Sequence, residues 1–332
     1  WVAWLRFNAR DVLGRFNRGL ATAVENVTDG QGKIGPVPGG GPLCMGTVPL
    51  ADMESGQWPP YNFGNSGFNL VSYYNYNFNA YPALIQVWWA EMARLGNRDM
   101  PVWLMPDTMH PRTYDHLQNY HLFMSAHLDG LVYFIHEWSK PGFDMALQSF
   151  GPINKYLGPW LKAVKPVPAT VGLLVPFETA CYRADHPIDC GLAYCNLRMA
   201  QVPVEPVCPE ELPRRGGQYK AVLLHDVDQL SASNVRLLDK YRQQGGRVIL
   251  DRATGIDLPW AERLEFALRS GTRETCYGDT NLIGKIRHIF EPVAASWAKC
   301  EDPFTLITHF QSGEAHYLWL ADLMDHDADA AH

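Results

Sequence analysis

The sequence predicts an α/β protein, on three observations. Strand-like and helix-like segments alternate along the first half of the chain. The strand-like segments are near-continuous apolar runs, as expected of parallel strands covered by helices. The alternation stops at PVPAT (166–170) and starts again on a smaller scale.

At 332 residues the chain is long enough for two domains of ~100–200 residues each. Apolar residues make up 47% and charged residues 19%, which excludes a disordered chain. The net charge is −7 with both signs interspersed, so no basic stripe marks a nucleic-acid partner. No apolar run reaches the ~18–20 residues of a membrane span, so no membrane partner is expected either. Eleven tryptophans suit flat substrates such as sugars as well as a large core.

The elements follow in order. Residues 1–27 read as a helix, with Trp4, Leu5, Phe7, Val12, Leu13, Phe16, Leu20 and Val24 at three- and four-residue steps. KIGPVPGGGP (33–42) reads as a buried strand ended by glycines. It lacks both GxGxxG and GK[ST], so it is no phosphate cradle. Residues 41–67 form a long loop rich in Gly, Pro, Asn and Ser, a kind that is often functional. FNLVSYYNYN (68–77) is a strand by its β-branched and aromatic content. Pro82 opens a helix that ends at Gly96. MPVWLMPDTM (100–109) is the next strand, 112–130 the next helix and LVYFIHEW (131–138) the next strand. The helix over 145–164 should kink or break near Gly151-Pro152. This order fits strands five to eight of a (β/α)8 barrel, over residues 1–165.

In the second half, ATVGLLVPF (169–177), VPVEPVC (202–208), YKAVLLHDV (219–227) and RVILD (247–251) read as strands. A helix over 188–200 connects the first two, and Ser231 caps a helix stopped by Gly245 and Gly246. Residues 166–302 therefore read as a flavodoxin-like α/β domain. FTLITHFQSGEAHYLWLAD (304–322) reads as a hairpin, and 303–332 as the start of a β-sandwich.

The seven cysteines give an odd count in a chain too large to need a disulfide framework. Cys190 and Cys195 lack a CxxC partner, and His116, His121 and His127 lack the spacing of HExxH, so no metal is expected. Buried free thiols are the expectation, with a Cys181–Cys190 loop disulfide open for an exported protein. The chain opens WVAWLRF, without the charged region or cleavage site of a signal peptide, and reads as a piece of a longer protein. Its compartment, cytoplasmic or exported, stays open.

The order of PVWLMPDTM, GLVYFIHEW, the YKAVLLHDV–helix–GGRVIL segment and the final hairpin is similar to the back half of a clan-A glycoside hydrolase of the family 42 β-galactosidase type. Those proteins have a (β/α)8 barrel, a flavodoxin-like domain and a β-sandwich. The resemblance implies a retaining glycosidase for β-linked sugars, without a cofactor, and leaves a homo-oligomer open. Such chemistry uses two carboxyl groups roughly 5–5.5 Å apart. In the resembling family the acid/base Glu follows strand four, which puts it before Trp1. The nucleophile ends strand seven, where aligning WLM puts Pro106, with Asp107 one step further. Asp is one methylene shorter than Glu, and a one-residue shift turns a side chain to the other face unless the strand end bulges.

The candidate catalytic residues are therefore Asp107 and Glu137. Trp138 matches the family's stacking floor at the end of strand eight, and His136 stands beside it. Tyr73 and Asn75 share one face of their strand, where a phenol and an amide can bind hydroxyls. Trp58, with Asp52 and Glu54, lies on the long loop that would overhang the site. His225, Asp226 and Asp228 follow a strand end of the second domain, a place where parallel sheets bind ligands. No nucleophilic Cys accompanies them, and an inert wall or assembly domain is the reading there. Pro106 keeps a second reading alive, a non-catalytic carbohydrate-binding or scaffold protein.

Overall fold

The computed structural model describes residues 1–32, 71–74, 84–95, 101–105, 121–122, 124–131, 141–183, 185–271, 278–294 and 297–323. The chain opens with a helical rod of α1 (Val2–Phe7), a π-helical stretch (Asn8–Leu13) and α2 (Gly14–Thr28). Asp29, in a left-handed conformation at φ +49°, ends it. The rod turns Leu5 and the small residues Ala9, Gly14 and Ala21 inward. Of the periodic apolar set read from the sequence, Trp4, Phe7, Phe16 and Leu20 stay exposed.

Next come β1 (Val71–Tyr74), α3 (Ile85–Ala93), β2 (Val102–Met105) and β3 (Gly130–Leu131). The three strands form one parallel sheet in the order β1-β2-β3. Tyr73 stands opposite Leu104, which stands opposite Leu131. Gly130 belongs to β3 rather than ending the preceding helix, and a Cβ there would meet the Trp103 indole at 2.9 Å. The expected strand over 33–42 lies outside the described residues.

Of the kink or break expected near Gly151-Pro152, no break occurs: helix α4 (Pro141–Ala163) continues through Pro152 and Pro159. Both prolines are exposed, as are Gln148 and Lys155, whose carbonyls lose their helical partners. On this exposed side solvent can take the place of the lost partners, so the helix tolerates both rings. Strand β4 (Lys165–Pro166) follows at once.

The second half contains β5 (Val171–Leu174), α5 (Phe177–Tyr182), α6 (His186–Met199), β6 (Val204–Val207), β7 (Ala221–Leu224), α7 (Ala232–Gln243), β8 (Arg247–Leu250) and β9 (Glu262–Arg263). Its sheet is entirely parallel, in the order β6-β5-β7-β8-β9. Strands β5 and β7 are buried at every residue, which explains their apolar runs. Ser231 caps α7 by accepting the Asn234 N–H, as its place in the sequence predicts. Helix α8 (Thr280–Phe290) is capped in the same way by Asp279.

The chain continues into the hairpin β10 (Thr305–Ser312) and β11 (Ala315–Asp322), with Gly313 at φ +57° in the turn. β10 also pairs with β4, giving a three-stranded antiparallel sheet. Trp160 of α4 packs edge-on against Phe310 and Tyr317 at 5.6 and 5.5 Å and stacks on Trp319.

One buried apolar cluster joins the two halves, running from Leu5 and residues 84–95 through α6 to β5, β7 and the hairpin. At its centre Trp88 and Tyr194 lie 5.3 Å apart, both fully buried. Gly191 on α6 permits this approach, since a Cβ there would meet Trp88 at 2.7 Å. The Trp88 indole N–H donates to the Pro187 carbonyl at 3.0 Å, so the ring loses no hydrogen bond on burial. The thiols of Cys181 and Cys190 are free and buried, and no disulfide links them. Cys190 lies on an inner turn of α6, 3.5 Å from His186, rather than facing Cys181 in a loop.

Candidate functional site

Two places in the fold bear on function. The first is the rim of the β1-β2-β3 sheet. Parallel strands in one register end together, and Tyr74 and Met105 are paired at that end. In the sequence, Asn75 comes directly after Tyr74 and Asp107 two residues after Met105. Tyr73 itself lies within β1. Trp58, Asn75, Asp107, His136, Glu137 and Trp138 lie outside the described residues, as do Asp52 and Glu54.

The second place is the C-terminal end of the five-stranded sheet, where the sequence singles out His225, Asp226 and Asp228. The imidazole of His225 lies 2.5 Å, through Nδ1, from Oδ2 of Asp251, and both side chains are buried. Burial opposes ionisation of Asp251. Hydrogen bonds from His225, the Leu268 N–H and Thr254 outweigh it and hold the carboxyl below its usual range. Asp226 is in a left-handed conformation at φ +55°. Arg183 holds its carboxylate at 2.6 Å and that of Asp228 at 3.0 Å. Burial again opposes ionisation, and Arg183 again wins, so Asp226 also stays below the usual carboxylate range. Arg183 and Arg269 reach Asp189 from two sides, at 3.4 and 3.2 Å. Below them, Nε2 of His186 contacts the carbonyl oxygen of His225 at 3.1 Å. Burial pushes its pKa down to about 4, so the ring is neutral near pH 7. Burial likewise drives the Cys190 thiol far up, which keeps it protonated and unreactive.

This network is densely paired, though the buried Nε2 of His225 has no hydrogen-bond partner among the described residues. Arg183, at the end of α5, donates to the carbonyl and the carboxylate of Asp226 after β7, beside the β5–β7 boundary where an open parallel sheet would take a ligand. Thr179 bridges the same two loops by donating to the Gln229 carbonyl at 2.8 Å. The cluster locks loops together, and no group of three or more metal-ligating side chains occurs among the described residues. Sequence reasoning named His225, Asp226 and Asp228 but missed Arg183, Asp189, Asp251 and His186. Arg183 reaches Asp226 and Asp228 across 43 and 45 residues, His186 reaches His225 across 39 and Asp251 reaches His225 across 26, and no local pattern signals such pairs; Asp189, six residues from Arg183, is the local exception.

Taken together, the parallel sheets and the antiparallel hairpin define a glycoside hydrolase family 42-like fold. The chain is similar to the apo exo-carrageenase of family 42 from Bacteroides ovatus, with a TM-score of 0.57 and 10% identity, over 94% of this chain and 50% of that one. It is also similar to the β-galactosidase of Bacillus circulans sp. alkalophilus, at TM-score 0.57 and 12% identity, over 76% of this chain and 54% of that one. The β-galactosidase of Rahnella sp. R3 aligns at TM-score 0.56 and 13% identity, over 77% and 41%. The chain thus spans about half the length of the solved structures it resembles. No family model matches the sequence, and no curated protein matches it.

Proposed function

We propose that this chain is the back half of a glycoside hydrolase-like protein that acts on a β-linked sugar by a retaining mechanism. In this reading residues 1–165 supply strands five to eight of a (β/α)8 barrel, with β1, β2 and β3 as the sixth, seventh and eighth. Residues 166–302 form a flavodoxin-like domain, whose strand order 2-1-3-4-5 by occurrence is the one that layout uses. Residues 303–332 begin a β-sandwich.

The observation that carries the reading is the common end of β1 and β2. In a closed barrel, the C-terminal ends of the strands form the mouth where catalytic groups stand. Asn75 and Asp107 follow those ends by one and two residues in the sequence. Asp107 or Glu137 supplies the carboxylate, paired with an acid/base on another part of the barrel. Trp138 offers its indole face to the sugar ring, and Tyr73, Asn75, His136 and Trp58 take its hydroxyls and edges. The second domain walls and braces the barrel, which agrees with its densely paired polar network.

The test is hydrolysis of a panel of nitrophenyl β-glycosides, with the anomer of the first-formed product followed by NMR. This chain alone is expected to be inactive, so Asp107→Ala and Glu137→Ala are made separately in the full-length protein, and at least one is expected to lose the activity by about 10³-fold or more. Near-normal turnover in both, or an inverted product, overturns the assignment.

Pro106 at the position of the family's nucleophile favours a second reading, a non-catalytic carbohydrate-binding protein on the same fold. Sugar binding with no hydrolysis of any panel member selects it.

A further inference from the structure

The opposite ends of the two parallel sheets carry a cavity of about 510 Å³. It lies where β3, β5 and β6 begin, roofed by β4 and β10, and its wall includes Asp129, Lys165, Arg198, Glu205, Trp297 and His309. The volume is within the ~300–1,000 Å³ of small-molecule sites.

The charges of the wall are only partly neutralised. Glu205 is saturated by Arg215, Gln218 and Tyr219, at 2.6, 2.8 and 2.7 Å. Asp129 accepts the Val102 N–H at 2.9 Å. Arg198 donates to neutral oxygens, those of Tyr194, Ile307 and Thr308, with no carboxylate in ion-pair range among the described residues. Lys165 is exposed and has no ion-pair or hydrogen-bond partner among the described residues. Lys165 stands opposite Gln311, while Arg198 reaches Ile307 and Thr308 on the same strand. At about 3.3 Å per residue, the two cations therefore meet β10 at points three to four residues, or roughly 10–13 Å of strand, apart. Trp297 is half-exposed on this wall, its ring held edge-on by His309 at 4.5 Å. Nδ1 of His309 is buried with no hydrogen-bond partner among the described residues.

We infer that this cavity binds a short acidic saccharide, with Trp297 under a sugar face and Arg198 and Lys165 receiving its anionic groups. The cations select charge, and a fixed indole offers apolar area at little entropic cost. The site lies at the end of the sheets remote from the proposed catalytic mouth, so it is a holding site rather than a reacting one. It rests on the carbohydrate reading for the class of ligand alone.

The test is calorimetric titration of the whole chain with digalacturonate, lactose and inorganic sulfate. Digalacturonate is expected to bind one to one, about tenfold or more tighter than lactose or sulfate, the worth of one charge-assisted hydrogen bond. Lys165→Gln and Trp297→Ala are each expected to weaken it by about tenfold, with the unfolding midpoint unchanged for Lys165→Gln, whose side chain is exposed. Equal affinity for lactose overturns the inference. So does sulfate binding as tightly as digalacturonate with Trp297→Ala without effect, which would mark an ion site only. Binding that survives Lys165→Gln but is lost in Asp107→Asn puts the sugar at the other rim and overturns it too, as does the absence of binding by all three probes. Binding as expected with no glycoside hydrolysed anywhere overturns the catalytic reading alone.

Discussion

Replacing Gly191 by Ala puts a sign, not just a size, at risk. Gly191 sits inside helix α6, where Ala is favoured over Gly by about 1 kcal/mol when nothing else intervenes. Here the added methyl would lie 2.7 and 2.9 Å from Cδ1 and Nε1 of Trp88 and 3.1 Å from Ile85. The indole is fully buried, so it cannot swing aside as an exposed chain end would. Overpacking of this kind costs about 1–3 kcal/mol. Moving the ring also strains its hydrogen bond to Pro187, worth about 1 kcal/mol more. Gly191→Ala should therefore destabilise the protein by a net 1–3 kcal/mol or so. Urea unfolding followed by tryptophan fluorescence measures it, and Trp88→Phe in the same chain should recover part of the loss through a non-additive cycle. A Gly191→Ala variant more stable than the parent by about 1 kcal/mol would refute the close helix–helix approach.

Three other outcomes are expected. His186 is depressed to about 4 in the folded state, below the ordinary ~6.5 of the unfolded chain, so the unfolded state takes up the proton first as pH falls. Stability is thus full above pH ~6.5 and declines towards pH 4, by about 2 kcal/mol at pH 5, and His186→Asn should flatten that decline between pH 7 and 5. If His186→Asn titrates like the parent, the burial argument fails. Arg183→Gln leaves Asp226 and Asp189 without their shared cation and should cost about 2–4 kcal/mol by urea unfolding, with Arg183→Lys recovering part; a loss under ~0.5 kcal/mol counts against the network. In a Cys44→Ser, Cys276→Ser background, Cys300 should react first with a thiol reagent, while Cys181, Cys190, Cys195 and Cys208 wait for unfolding. Prompt modification of all five contradicts the buried-thiol assignment.

Much of the fold was readable because its signals are local. Strands β5 and β7 are buried on both faces, so they read as unbroken apolar runs, and Ser231 and Gly245 mark the ends of α7 by their own chemistry. β10 alternates buried and less buried residues, the pattern that revealed the hairpin. What misled was equally physical. Gly151-Pro152 in α4 was read as a kink or break, but the helix continues through it with Pro152 on its exposed side. The cysteines did not mislead: the expected buried free thiols are found at Cys181 and Cys190, the latter 3.5 Å from His186. The site was legible only as residue types after strand ends, since pairs such as His225 with Asp251 form through the fold. The register of β1 and β2 ends at Tyr74 and Met105, and Asn75, Asp107, Glu137 and Trp138 lie outside the described residues.

The contact of Trp88 with Tyr194 also has a consequence during synthesis. The segment IQVWWAEMA leaves the ribosome more than ninety residues before the face that buries it has been made. At ~5–20 residues per second, that greasy helix waits roughly 5–20 s without its cover. A nascent chain stalled between residues 100 and 185 should therefore be a strong client for holding chaperones, and should let go once α6 emerges.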